Sequence, residues 1–135
     1  MPLTLLLALA ILGLVLIVRT RGQADGATDP DAATLRALER AGSDLGRSHE
    51  MEFFLYLPDQ SAAEAAGAQL RAEGFTIRVS AGDSNDDWLC LASRTMRPNL
   101  GELQRLRRYL TAVAESRDGA YDGWGATVVT EDGAG

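Results

Sequence analysis

From residue 29 onward the spacing of apolar residues changes period five times, and that succession restricts the fold more than any other feature of the chain. Asp29 followed by Pro30 has the chemistry of a helix start, a capping carboxylate before a residue preset for the first helical position. Leu35 and Leu38 then recur at helical spacing ahead of Gly42, which predicts a short helix over Asp31 to Ala41. From Glu50, Met51, Phe53, Leu55 and Leu57 alternate with Glu52, Phe54 and Tyr56, as in a strand apolar on much of both faces, and Pro58 ends it. Ser61 and Glu64 have capping-box spacing and open an Ala-rich helix that runs to Gly74. Phe75, Ile77 and Val79 alternate with polar residues, and Trp88 to Ala92 resumes an apolar run, so a hairpin is expected. Pro98 and Asn99 open a last helix with Leu100, Leu103, Leu106, Leu110 and Val113 on one stripe, and Tyr121 to Val129 forms a final strand.

A helix followed by β-α-β-β-α-β is the order of an α+β ferredoxin-like split sandwich, a four-stranded antiparallel sheet with both crossover helices on one face. The other face then needs a cover, because Phe54, Tyr56, Leu89 and Leu91 add apolar area that two helices on one side cannot hide. The first helix, through Leu35 and Leu38, is the expected cover for part of it.

Ahead of this domain, Pro2 to Val18 carries no charge and consists mainly of Leu, Ile, Val and Ala. As a helix it would span about 25 Å, short but feasible for a bilayer core of about 30 Å. No basic residue precedes the run, and Arg19 and Arg21 stand where a cleavage site would be small and neutral, so an uncleaved transmembrane anchor over residues 1–21 is expected. Those arginines predict a single pass through the inner membrane with the domain facing the cytoplasm. Residues 22–28 read as a linker, 29–131 as the domain and 132–135 as a disordered tail.

Past the anchor, residues 22–135 hold 11 Arg and 19 acids, a net −8, against −6 for the whole chain. So acidic a domain is not expected to bind nucleic acid directly. Asp83, Asn85 and Asp87 have the spacing of a calcium loop, but Trp88 stands at its required glycine and Arg94 at its bidentate Glu, so neither metal nor cofactor is expected. One His and one Cys exclude the usual zinc sites. Cys90, between Leu89 and Leu91, reads as core, and His49 has no evident nucleophile beside it. Arg105, Arg107 and Arg108 read as an exposed helix face, solvated or paired with nearby acids. No nucleophile, base and orienting group can be assembled, so an enzyme is not expected.

The densest unusual cluster is Tyr121-Asp122-Gly123-Trp124-Gly125, two glycines in a strand beside two large aromatics. Such a site is either packed core around a bulge or the anchor for a partner. With Asp86, Asp87 and Trp88 it forms the expected partner-binding set.

This cluster resembles the signature of the RraB-like proteins, regulators of ribonuclease E activity. The resemblance extends to Asp29-Pro30-Asp31, Gly42-Ser43-Asp44, the strand from Phe53 to Leu57, the helix ending at Gly74-Phe75 and the helix from Leu100. It implies a non-catalytic interaction protein that binds ribonuclease E or an RNA-decay complex and dampens RNA cleavage. The chain departs from the family in its apolar N-terminal segment and in ending without a long acidic tail. The competing expectation is a membrane-tethered small-ligand or envelope sensor with its pocket on the second face of the sheet.

Overall fold

The computed structural model describes residues 17–19, 29–83 and 87–130. In chain order the elements are β1 (Ile17–Arg19), α1 (Pro30–Arg40), β2 (His49–Leu57), α2 (Gln60–Ala72), β3 (Thr76–Ala81), β4 (Trp88–Met96), α3 (Leu100–Glu115) and β5 (Ala120–Thr127). The strands form one antiparallel sheet in the order β1-β5-β2-β4-β3. Its four long strands have the expected split-sandwich order, with β1 added at one edge.

Helix starts follow from the side chains that precede them. Asp29 accepts the Asp31 N–H at 2.9 Å and Asn99 accepts the Glu102 N–H at 2.9 Å, each satisfying a backbone donor that the first turn leaves open. α2 differs from expectation: Asp59 is the cap, accepting the Ala62 N–H at 2.8 Å, and the helix begins ahead of Ser61. An aspartate competes well with serine for this position.

The inner face of β2, His49, Met51, Phe53, Leu55 and Leu57, is buried throughout. It packs with Cys90 and Ala92 of β4, Leu70 of α2, and Leu103, Leu106 and Leu110 of α3 in one apolar core. Phe53 meets Phe75 edge to face, ring centres 5.8 Å apart. At Gly67 a Cβ would lie 2.8 Å from Ile77 Cγ2, so α2 approaches β3 more closely than any side chain there permits.

Two expectations are corrected. α1 does not cover the second face: it packs on β1 and β5 and beside α3, with all three helices on the same side of the sheet. A buried carboxylate on α1 and its cationic partner on α3 draw it there. The single-pass inner-membrane location is also overturned. Ile17 and Val18, the last residues of the apolar run in the expected anchor, lie in β1, paired with Thr127 and Ala126. A residue in that ladder cannot also continue a spanning helix, and β-branched residues suit the strand. Among the described residues no helix is long and apolar enough to cross a membrane. Residues 1–16, 20 and 21 of the expected anchor, the linker 22–28, residue 131 at the end of the expected domain and the tail 132–135 lie outside the described residues.

Candidate functional site

The glycine-rich signature is folded around a bulge. Phe53 pairs with Trp124 and Leu55 with Tyr121, so two steps along β2 match three along β5, and Asp122 and Gly123 both stand opposite Phe54. Gly123 takes φ +95°, a conformation that a side chain would strain. The extra residue turns Tyr121 and Trp124 to the same, helix-bearing side.

There Trp124 is 1% exposed and donates its indole N–H to Asp31 Oδ1 at 3.2 Å. Asp31, on the first turn of α1, is wholly buried and accepts a two-pronged contact from α3: Arg107 Nε to Oδ2 at 3.0 Å and Arg107 Nη2 to Oδ1 at 3.1 Å. This fork geometry is the strong form of the guanidinium–carboxylate pair. Burial works against the Arg107 charge, but the Asp31 hydrogen bonds and field outweigh it and hold its pKa above the ordinary value. The same guanidinium lies 5.4 Å from the centre of the Tyr121 ring. One turn back on α3, Gln104 donates to the capping Asp29. Burial alone would raise the Asp29 carboxyl pKa, and the donors from Gln104, Asp31 and Ala32 bring it below the usual value.

A second network ties the end of α1 to the sheet. His49 Nδ1 donates to the Arg47 carbonyl at 2.8 Å, leaving Nε2 to accept the Ser43 hydroxyl at 2.5 Å. Ser43 Oγ accepts the Val129 N–H at 2.9 Å, and the Asp44 N–H donates to the Val129 carbonyl at 2.7 Å. His49 therefore has a hydroxyl partner that its sequence neighbourhood did not reveal. At 1% and 7% exposure the imidazole and hydroxyl are closed to a substrate. Cys90 is closed likewise, its thiol pushed up to about 11 by burial against the opposing charge of Arg71.

The expected partner-binding set is divided by the fold. Tyr121 and Asp122 are half-buried, while Gly123, Trp124 and Gly125 are buried. Asp87 and Trp88 are half-buried on the far side of β2, where Trp88 pairs with Leu57 and Ala81, so the two groups are not brought together. Asp86 lies outside the described residues. The expected arginine face is divided too: Arg107 enters the buried pair and Arg105 holds Glu102 at 2.5 Å.

On the helix-free side, the register aligns Tyr56 with Leu89, Phe54 with Leu91 and Glu52 with Ser93. Phe54, Tyr56, Leu89 and Leu91 are all half-buried, and exposed Glu50 lies at the end of the same row, hydrogen-bonded to Thr95 at 3.1 Å. A cleft of about 80 Å³ lined by Glu73, Phe75, Arg94, Arg105, Leu106 and Tyr109 lies on the opposite side, away from the face on which the sensor reading placed its pocket.

Sequence reasoning missed Asp31 and Arg107. Their signal was present: Asp31 shares a helix face with Leu35 and Leu38, and Arg107 lies one turn from both Leu103 and Leu110, so a carboxylate and a guanidinium each sit within an apolar stripe. No match is found among curated proteins. The two aspartates that flank Pro30, Ser43 with Asp44, and Tyr121 with Trp124 thus meet around α1 in one folded arrangement. Residues 28–126 match the family described as RraB, Regulator of ribonuclease activity B, and the chain belongs to that family.

Proposed function

We propose that this chain modulates RNA decay without chemistry of its own, by binding a ribonuclease, ribonuclease E or a complex built on it, through the helix-free face of its sheet. The observation that carries this reading is the contrast in what each side offers. Three polar groups of the described region, His49, Ser43 and Cys90, are sealed in the core, whereas the helix-free face carries two aromatics and two leucines in one patch. Family membership supplies the ribonuclease context.

The acidity of the domain fits a basic partner segment: Glu50 and Glu52 flank the patch, and guanidinium groups pack favourably on Phe and Tyr rings. Within the signature, Asp122 stands opposite Phe54 and borders this face, while Trp124 supports it from inside. Tyr121, Gly123 and Gly125 shape the bulge, and Asp87 and Trp88 close the neighbouring hairpin.

The test is binding of purified ribonuclease E to the full chain at increasing ionic strength, with the unaltered protein beside Tyr56→Ser/Leu91→Ser. The expected result is affinity that falls with salt and at least a tenfold loss in the double variant with its cooperative melting kept. Binding indifferent to both salt and the substitutions contradicts the reading.

A further inference from the structure

α1 is held to the domain by apolar and polar contacts together. Leu38 is its one large apolar side chain that is fully buried, Leu35 packs half-buried against the core, and Asp29 and Asp31 in the cap and first turn add polar anchors. The groove that receives them is built by β5, α3 and the edge strand β1: Trp124 and Ala126 lie on β5, which pairs with β2, and Gln104 and Arg107 lie on α3, whose leucines are in the core. Into this groove three side chains direct donors, the Arg107 fork, the Trp124 indole N–H and the Gln104 amide. In a domain of net negative charge, this is a local site for carboxylates. α1 shows what it accepts: two carboxylates two residues apart at a helix start, followed by a leucine seven residues beyond the second.

We propose that the groove between α3 and β5 is a binding site for an acidic helix N-terminus, occupied within the chain by α1, and that a partner helix with the same carboxylate-to-leucine pattern takes the place of α1. Helices dock in grooves through a few anchors at such spacing. Attachment in the same chain gives α1 a high effective concentration, so the exchange depends on local opening of α1 without loss of the sheet. The Ser43–His49 contact and the Asp44–Val129 bond keep the connection to β2 in place while α1 leaves.

Native-state hydrogen exchange on the full chain tests the opening. Interior amides of α1 are expected to exchange at least tenfold faster than those of Phe53 and Leu55. A labelled peptide with the sequence of residues 28–42 tests the groove: it is expected to bind the full chain at least tenfold more tightly than the same peptide with Asp29→Asn and Asp31→Asn. In full-length Asp31→Asn, where the internal helix is weakened, the unaltered peptide is expected to bind at least tenfold more tightly still. If that variant fails to fold, the peptide comparison on the unaltered chain decides. Exchange of α1 and β2 in a single opening, or equal behaviour of the two peptides, overturns the proposal. Neither measurement involves a ribonuclease, so its failure is separate from that of the function proposed above.

Discussion

The two faces of the sheet use similar residues for opposite ends. On the helix-bearing side Trp124, Asp31 and Arg107 are joined by hydrogen bonds, and the aromatic bulk of Phe53 and Phe75 is enclosed. On the other side Phe54 and Tyr56 lie half-buried without a helix over them among the described residues. A single strand, β2, supplies both faces by alternation, so neighbours such as Phe53 and Phe54 differ in task and not in chemistry. The comparison teaches that the signature motif of this chain serves the enclosed face, where it fixes a helix, while the more accessible apolar patch lies in residues with no motif character.

Substitutions along the two faces can break or sharpen that contrast, and their expected effects on stability form a descending series. Trp124→Ala removes the largest enclosed side chain and is expected to cost about 3–5 kcal/mol in urea unfolding. Asp31→Asn breaks the fork to Arg107 and is expected to cost about 3 kcal/mol, at the low end for a buried pair because Arg107 keeps 29% exposure to water. Ser43→Ala leaves His49 Nε2 and the Val129 N–H without their partner and is expected to cost about 1–2 kcal/mol. On the helix-free face, Leu91→Ser is expected to change unfolding by only about 1 kcal/mol. A larger loss there would mean that this face is part of the core after all.

The smallest effect is expected at the surface. Hydrogen bonding from Arg105, against the opposing effect of burial, lowers the Glu102 carboxyl pKa, with further help from the Arg105 and Arg94 charges. A carboxylate with a lowered folded-state pKa stabilises the protein above its unfolded pKa, and the gain is lost as pH falls through the folded value. Glu102→Gln is therefore expected to change stability at neutral pH by no more than about 0.5 kcal/mol, and to bring the two proteins together in acid. A pH-independent difference between them in chemical unfolding would contradict this.

Much of the fold was legible in the sequence because apolar period and capping chemistry are local. Alternation in β2, the leucines of α3, and Asp29 and Asn99 as caps all appear where the residues place them. The side of the sheet taken by α1 was not legible, since Leu35 and Leu38 give a helix an apolar stripe without saying which surface it meets. That choice depends on a contact between Asp31 and Arg107, 76 residues apart. Ile17 and Val18 misled for a related reason: an apolar run has the same composition whether it continues a helix or enters a strand. In the candidate site, the choice between core and anchor for Trp124 was open because a tryptophan beside glycines suits either, and its indole partner settles on core only once α1 is in place.

The bulge at Asp122–Gly123 also works as a parity device. Tyr121 and Trp124 are an odd number of residues apart, so an uninterrupted strand would send them to opposite sides of the sheet, and one surplus residue reverses that. Chain length at this point thus carries information that residue identity does not. Deleting Gly123 would leave every aromatic in the sequence and still turn one of the two outward, which makes this segment less tolerant of a lost residue than of most exchanged ones.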